Sequence, residues 1–258
     1  MRTVAILPVK TFGRAKQRLG QAFPDRPALA AAMVADVLDA LAAVPSLDGV
    51  IVVTAEPIAA QIATERGIQV VHDPVESGQS DAAARGVAAA LAGAGEPLDE
   101  ADGVGAPGRI VVVGAPAERV LLVPGDCPAL DPDEVEALLA RTAPVVIVPD
   151  RHGTGTNALL LAPPDVMAPA FGEGSFERHS GLARAAGTEP EVAEIKTLGL
   201  DVDTPDDFAA LKRALATHGR GAVRTRALLD SLAPPAGESA DPSASARSDA
   251  RPQAESSP

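Results

Sequence analysis

Residues 4–9 read VAILPV, and residues 50–55 read VIVVTA. Both runs are almost wholly apolar, whereas a strand with one solvated face alternates apolar and polar residues. Four further runs of this kind follow along the chain, at residues 69–72, 120–123, 145–148 and 158–162. Continuous apolar runs of this length are typical of strands in a sheet that is covered on both faces.

Helical patterns lie between these runs. Apolar residues recur at three- and four-residue spacing from Leu29 to Leu41. Residues 131–134, DPDE, combine a cap acid, a proline in the first turn and a glutamate three residues after the cap, and residues 204–207, TPDD, repeat the device. The alternation of strands and helices predicts a doubly wound α/β sheet.

The composition excludes several classes of protein. The 258 residues contain 22 Lys and Arg against 35 Asp and Glu, a net charge of −13, and binding to nucleic acid or to an anionic membrane needs a basic surface. Cys127 is the single cysteine, which excludes a disulfide framework and a thiolate zinc site. The opening MRTVAILPVK is too short in its apolar part for a signal peptide. We therefore expect a cytoplasmic protein with no nucleic acid and no membrane as partner.

Two stretches fall outside the alternation of strands and helices. Residues 234–258 contain no Val, Ile, Leu, Met or Phe, so we expect a disordered tail from about residue 234. Gly, Pro and acidic residues crowd the region 93–119, which we interpret as an inserted loop, with a lid as the less favoured alternative. One domain is therefore expected over residues 1–216, followed by a C-terminal extension over 217–258.

A basic loop follows the first apolar run. Residues 8–19, PVKTFGRAKQRL, place Lys10, Arg14, Lys16 and Arg18 within nine positions. In an acidic chain this concentration favours a cradle for a nucleotide triphosphate, because Lys and Arg both pair with phosphate. A solvated charge run before a helix is the alternative. The loop lacks the GxxxxGK[ST] pattern, which disfavours a Walker-type ATPase.

Acidic residues occupy two places where strands are expected to end. Asp126 follows the apolar run at 120–123 and fits either a Mg²⁺ ligand or a turn residue. Asp201 and Asp203 flank Val202 at strand spacing, so they project on one face, where like charges repel unless a cation lies between them. Asp201 is the stronger candidate ligand, because Asp203 also fits a helix cap with Thr204.

Two glycine-rich loops complete the candidate site. Residues 149–157 read PDRHGTGTN, and residues 171–176 read FGEGSF. Glycine lets a backbone approach an anion closely, with N–H and hydroxyl donors directed at it. Together with the basic loop and the carboxylates, these loops predict a site for two phosphorylated molecules and a metal ion.

Five motifs in this order resemble the guanylyltransferases of deazaflavin coenzyme biosynthesis: PVKTFGRAKQRL, GDCPAL, DRHGTGTNALLL, FGEGSFERH and DVDTPDDF. The resemblance covers roughly residues 2–215. It implies a three-layer α/β/α sandwich with a mostly parallel, Rossmann-like sheet, similar to the nucleotide-diphospho-sugar transferases. It also implies the condensation of GTP with phosphoenolpyruvate to enolpyruvyl-diphospho-5′-guanosine and pyrophosphate. The acceptor 2-phospho-L-lactate is the alternative, and the Ala-rich, bacterial-type composition favours phosphoenolpyruvate.

The resemblance also implies roles for individual residues. The metal-binding acids of the family match Asp126 and Asp201, with Asp203 as a third candidate for Mg²⁺. Its phosphate-binding loop matches Lys10, Lys16 and Arg18, and its phosphoenolpyruvate-binding residues match Thr156, Gly172 and Ser175. Where the family usually has Leu-Asn-Ala, this chain reads GQSDA at residues 78–82, so no residue is assigned to guanine.

Other functions stay open at this point. A nucleotidyltransferase for molybdopterin or for a sugar phosphate usually opens with a LAAGxGxR loop, which is absent here. A glycosyltransferase of similar fold has an Asp-x-Asp metal motif like Asp201–Asp203, and a non-catalytic nucleotide-binding protein predicts loss of the acids or bases that this chain retains. The sequence does not determine the oligomeric state, and a homodimer is one option.

Overall fold

The computed structural model describes residues 1–14, 25–93, 115–217 and 221–231. In these parts of the chain, seven strands form one sheet in the order β3-β2-β1-β4-β6-β5-β7. The strands are β1 (Thr3–Val9), β2 (Gly49–Thr54), β3 (Gln69–His72), β4 (Arg119–Leu122), β5 (Val145–Pro149), β6 (Thr156–Leu161) and β7 (Glu191–Val192). The helices are α1 (Arg26–Ala42), α2 (Pro57–Thr64), α3 (Gln79–Ala92), α4 (Pro132–Leu139), α5 (Ser175–Ala185), α6 (Pro205–Thr217) and α7 (Val223–Ser231), with a short 3₁₀ helix at Phe12–Arg14.

The sheet is parallel except for one strand. β1 pairs in parallel with β2 and β4, β2 pairs in parallel with β3, and β5 pairs in parallel with β7, whereas β6 runs antiparallel to both β4 and β5. The reversal brings the beginning of β6 to the edge where β1, β4 and β5 end. Residues of the loop between β5 and β6 therefore join the strand ends at which ligands bind in open α/β sheets.

Helices cover both faces of the sheet. In β1, Ala5 and Leu7 face a core shared with α1, α2 and α4, while Val4 and Ile6 face a second core shared with α3. Successive strand side chains point to opposite faces, so an uninterrupted apolar run supplies both cores. The predicted fold class, a three-layer α/β/α sandwich with a mostly parallel sheet, is confirmed.

The two predicted helix caps differ in detail. At α6, the Thr204 Oγ1 accepts the Asp207 N–H at 3.3 Å and the Asp207 carboxylate accepts the Thr204 N–H at 2.8 Å, which is a reciprocal capping box. At α4, the side chain of Asp131 caps the helix as predicted. Glu134 instead accepts hydrogen bonds from the N–H and hydroxyl of Thr197, whose Oγ1 in turn accepts the Asp131 N–H.

A helix beyond the predicted domain end packs on the body of the protein. α7 begins at Val223, and its first turn is capped by Asp36 of α1, which accepts the N–H groups of Arg224 and Thr225 at 3.0 and 2.8 Å. Much of the predicted insertion at 93–119 and all of the predicted tail from residue 234 lie outside the described residues. No helix in the described part of the chain is both long and apolar enough to cross a membrane.

Candidate active site

A cavity of about 890 Å³ lies at the sheet edge where β1, β4 and β5 end. Its wall includes residues that follow these strands and β3, residues of α1 and α3, and residues 172–174 in front of α5. Six acidic residues line the wall, beside apolar residues of β1 and α1: Asp73, Glu76, Asp126, Asp150, Glu173 and Asp203. Within the described part of the chain, Lys10 is the one basic residue that lines the cavity, and it is exposed.

Asp201 is the most perturbed carboxyl group of this region. Burial, the neighbouring charge of Asp126 and, more weakly, that of Asp203 together raise its pKa to about 6, against a lowering by the hydrogen bond from Asn157. Nδ2 of Asn157 donates to Oδ1 of Asp201 at 3.1 Å and to the carbonyl of Leu198 at 2.7 Å. The fold therefore holds three like charges close together at one edge of the cavity.

These aspartates do not form a complete metal cage. No group of three or more His, Cys, Asp or Glu side chains in the described ranges is arranged to hold a metal ion by itself. Mg²⁺ is usually held by only one or two carboxylates, and substrate phosphates and water supply its remaining ligands. The donor set of Asp126 and Asp201, with Asp203 near them, fits this type of site.

The loop between β5 and β6 is held by Asp150. Its Oδ1 accepts the N–H groups of His152 at 3.1 Å and Thr154 at 3.0 Å. A Cβ at Gly155 would lie only 2.7 Å from Oδ2 of Asp150, so any other residue there would force the Asp150 carboxylate to shift. Because Asp150 already uses the Thr154 N–H, the GTGT segment offers fewer anion donors than its sequence indicates.

An ion pair connects this loop to the segment that carries Asp201 and Asp203. Nη2 of Arg151 lies 2.6 Å from Oδ1 of Asp207, whose side chain is nearly buried. Asp207 also forms the capping box of α6, directly after the acidic segment. Arg151 therefore fixes the position of the Asp201–Asp203 segment relative to the β5–β6 loop.

Thr156 and Ser175 form part of a buried network behind the cavity. The Thr156 N–H donates to Oγ of Ser175 at 2.9 Å, and the Thr156 hydroxyl contacts Nδ1 of His179 at 2.9 Å. Nε2 of His179 accepts the N–H of Ala170 at 2.8 Å, so in the neutral ring Nδ1 carries the proton and donates to Thr156. Burial, followed by the charge of Arg178, lowers the pKa of His179 to about 4, and the ring is therefore neutral at physiological pH.

The structure brings most of the predicted site residues to one region. Lys10, Asp126, Asp203 and Gly172 line the cavity, and Asp201 is coupled electrostatically to Asp126. The side chains of Thr156 and Ser175 are only 7% and 1% exposed and are not part of the cavity wall. Lys16 and Arg18 lie outside the described residues.

Three residues of this region were not selected from the sequence. Asn157 holds Asp201, Arg151 holds Asp207, and His179 joins Thr156 to Ala170. The only sequence signal for Asn157 as a site residue is that it is a polar residue at the start of an apolar run. The partners of Arg151 and His179 are distant in sequence or belong to another element. Nothing in the local sequence specifies such contacts.

The family model described as guanylyl transferase CofC like matches residues 3–90 and 108–243. The chain belongs to this family. The resemblance inferred from the motifs is thereby confirmed, and most of the unmatched residues between the two ranges fall within the predicted insertion.

Similar full-length proteins support the family assignment. A phosphoenolpyruvate guanylyltransferase of Conexibacter woesei is 47% identical over 238 residues, which cover 90% of this chain and 97% of the relative. A protein of the same name from Sphaerobacter thermophilus is 35% identical over 215 residues, covering 82% and 93% of the two chains.

Solved structures agree at the level of the fold. A putative nucleotide-diphospho-sugar transferase from Desulfovibrio desulfuricans superimposes with a TM-score of 0.62 at 18% identity, covering 90% of this chain and 95% of the other. A 4-diphosphocytidyl-2C-methyl-D-erythritol synthase superimposes with a TM-score of 0.54 at 14% identity, covering 83% and 98%. The predicted similarity to nucleotide-diphospho-sugar transferases is confirmed.

Proposed function

We propose that this chain transfers the guanylyl group of GTP to the phosphate of phosphoenolpyruvate, giving enolpyruvyl-diphospho-5′-guanosine and pyrophosphate. The observation that supports this best is Asp126 in the wall of a cavity of about 890 Å³, with Asp201 electrostatically coupled to it. A cavity of this size lies in the upper part of the usual range for ligand pockets, as a site for a nucleotide and a second substrate requires. The relatives named phosphoenolpyruvate guanylyltransferase support the choice of substrates.

The proposed step is an in-line displacement at the α-phosphorus of GTP. A phosphate oxygen of phosphoenolpyruvate forms the new P–O bond, and the bond to the β-phosphate breaks as pyrophosphate leaves with its electron pair. The second pKa of a phosphate monoester is about 6, so the attacking oxygen is already ionised near neutral pH. The protein then needs no general base, which agrees with the burial of His179, whose lowered pKa of about 4 makes it a weak base. Its contribution is to position the two substrates and to stabilise charge.

Asp126 and Asp201 would hold Mg²⁺, with Asp203 as a third candidate. Bound there, the ion would neutralise negative charge on the phosphates. The charges of Asp126 and Asp203 raise the cost of ionising Asp201, and this repulsion favours a cation at this point. The acidic residues of the wall also support a bound cation, since among the described residues only Lys10 offers a positive charge there to two polyanionic substrates.

The remaining predicted residues have roles that follow from their positions. Lys10, together with Lys16 and Arg18 from the family motif, would bind the phosphates of GTP. Gly172 would present its backbone to phosphoenolpyruvate at the cavity wall, and Thr156 and Ser175 would support the acceptor site from behind.

The proposed function is tested by following pyrophosphate release in the presence of Mg²⁺. Each of the four common nucleoside triphosphates is combined with either phosphoenolpyruvate or 2-phospho-L-lactate. We expect release with GTP and phosphoenolpyruvate, and a preference for 2-phospho-L-lactate would change the acceptor only. Absence of release with every pair would refute a transferase function.

A matched pair of variants tests the metal site. Asp126→Asn keeps the shape of the side chain and removes its charge, and should lower turnover at least 100-fold while the protein stays folded. Asp165→Asn makes the same change at an exposed aspartate away from the cavity and should leave turnover unchanged. Normal turnover of Asp126→Asn would contradict the assignment of Asp126 as a metal ligand.

A further inference from the structure

The loop in front of α5 has an unusual distribution of carbonyl groups. The guanidinium of Arg178 donates to the carbonyls of Ala170 at 3.3 Å, Phe171 at 3.2 Å and Glu173. The Ser175 N–H donates a hydrogen bond to the carbonyl of Gly172 at 3.0 Å. Four consecutive carbonyls of the loop are therefore satisfied from the side of α5.

This arrangement fixes where the N–H groups of the loop point. A trans peptide is planar, and its C=O and N–H point in opposite directions. Arg178 donates hydrogen bonds to the carbonyls of Phe171 and Glu173. The N–H groups of the residues that follow these two, Gly172 and Gly174, are therefore directed away from the guanidinium. No hydrogen bond between described residues uses either of these N–H groups.

The residues that carry these N–H groups lie at the cavity. Gly172, Glu173 and Gly174 form part of its wall. Gly172 has φ +110 and Gly174 has φ +67, conformations that residues with a Cβ rarely adopt. Backbone N–H groups of a turn that are directed into a cavity can form a concave site for an anion.

A second contact anchors the start of the same loop. Nε2 of His179 accepts the Ala170 N–H, while Nδ1 of the same ring contacts the Thr156 hydroxyl. The side chains of two adjacent residues of α5, Arg178 and His179, thus hold the loop by its carbonyls and by its first N–H. The loop is built into its conformation before any ligand arrives.

We propose that Arg178 is a positioning residue for the acceptor substrate: by holding three carbonyls away from the cavity, it aims the N–H groups of Gly172 and Gly174 at the anionic oxygens of the acceptor. This inference rests on the proposed function, which supplies the acceptor. Arg178 acts through the backbone, so the geometry of its planar guanidinium matters and its charge alone does not suffice. Lysine carries the same charge on a single ammonium group and does not reproduce the three-carbonyl contact.

The test compares variants of two arginines on the same helix. Arg178→Lys keeps the charge, and Arg178→Gln removes it. Arg184→Lys is the control, because Arg184 is an exposed residue of α5 that pairs with Glu189 and not with the loop. KM for phosphoenolpyruvate, KM for GTP and kcat are measured by pyrophosphate release, together with the thermal midpoint of each variant.

Both Arg178 variants should raise KM for phosphoenolpyruvate about tenfold or more, with KM for GTP within about twofold of the wild type. Arg184→Lys should match the wild type in all three constants. A normal KM for phosphoenolpyruvate in Arg178→Lys would overturn the proposal, because charge alone would then explain Arg178. An equal rise in both KM values would also overturn it, since that result indicates a general structural role.

A second variant keeps the proposal testable if the Arg178 variants do not fold. Gly172→Ala leaves every charge in place but cannot easily keep φ at +110, so its peptide must rotate. It should raise KM for phosphoenolpyruvate selectively, and an unchanged KM would overturn the proposal. A wild-type protein that releases no pyrophosphate refutes the proposed function itself, a result distinct from any pattern among the variants.

Discussion

Replacement of Asp201 by asparagine should stabilise the metal-free protein at neutral pH. The pKa of Asp201 is raised to about 6 by burial and by the charges of Asp126 and Asp203, so ionising this carboxyl costs more in the folded protein than in the unfolded chain. Asparagine has the same shape and retains an oxygen that can accept the hydrogen bond from Asn157. The substitution therefore removes the unfavourable charge and keeps the packing.

The magnitude follows from the two pKa values. Between pH 3.8, the ordinary pKa of the group, and about pH 6, the unfolded chain has lost this proton while the folded protein still holds it. Stability then falls as pH rises, by 1.36 kcal/mol for each pH unit and by about 3 kcal/mol in total. Below pH 3.8 both states hold the proton and the variant should equal the wild type. At pH 7 the variant should be more stable by about 3 kcal/mol at most.

His179 produces the opposite pH dependence over nearly the same interval. Burial lowers its pKa to about 4, so between pH 6.5 and pH 4 the unfolded chain binds a proton that the folded protein does not. Its contribution is complete above pH 6.5 and is lost as pH falls towards 4. The contributions of Asp201 and His179 partly cancel in the wild type. Asp201→Asn should reveal a steeper rise of stability with pH.

The assay is urea unfolding in the presence of a chelator, at intervals from pH 4 to pH 8. For a domain of this size, 1 kcal/mol corresponds to about 2–4 °C in thermal midpoint, so melting curves should show the same trend. The control is Asp165→Asn at an exposed position, which should change stability by less than about 0.5 kcal/mol. A stability difference for Asp201→Asn that does not depend on pH, or a less stable variant at pH 7, would refute the reasoning.

Four further substitutions have defined expected outcomes. In Gly86→Ala, the new Cβ would lie 2.3 Å from a methyl group of a β1 isoleucine, so urea unfolding should show a free energy of unfolding lower by about 1–3 kcal/mol. In Gly181→Ala, no atom lies within 4 Å of the new Cβ, so this substitution should instead stabilise α5 by up to about 1 kcal/mol. Asp36→Ala removes the cap of α7 and should lower stability by about 1 kcal/mol. Trypsin should then cleave within α7 faster than in the wild type, and an unchanged cleavage rate would contradict this prediction. Arg151→Gln breaks the ion pair with Asp207 and should lower the free energy of unfolding by about 1–2 kcal/mol and reduce turnover; a variant that keeps both at the wild-type level would show that this ion pair does not hold the acidic segment.

The strands were predictable because each is a continuous apolar run. All six predicted runs coincide with strands β1 to β6 to within a few residues. The direction of β6 was not predictable, since an apolar run such as residues 158–162 looks the same in a parallel and in an antiparallel strand. The two-residue strand β7 and the helix α7 were not identified, because β7 is too short to show a pattern and the apolar residues of α7 show only a weak helical periodicity.

The candidate site was predictable to the extent that its residues follow strands directly. Asp126 and Lys10 each follow a buried strand, so the parallel sheet alone brings them to one edge. The contacts that hold the site have long sequence separations and carry no local signal. Glu134 illustrates this, because the sequence predicts a capping box whereas the structure places Thr197, 63 residues away, between Glu134 and the cap.

Most of the acidic residues around the cavity fall into two groups with different physical roles. In the first group each carboxylate holds a neighbouring group: Asp73 forms an ion pair with Arg85 at 3.3 Å, Glu76 accepts the Thr11 N–H at 2.8 Å, and Asp150 accepts N–H groups of its own loop. These carboxylates stabilise the conformation of the loops. In the second group, the charges of Asp126 and Asp203 raise the cost of ionising Asp201, a repulsion that is unfavourable in the protein alone and that a bound cation would relieve. Under the proposed function, a net charge of −13 is therefore compatible with polyanionic substrates. The repulsion among these aspartates attracts the cation that GTP and phosphoenolpyruvate require.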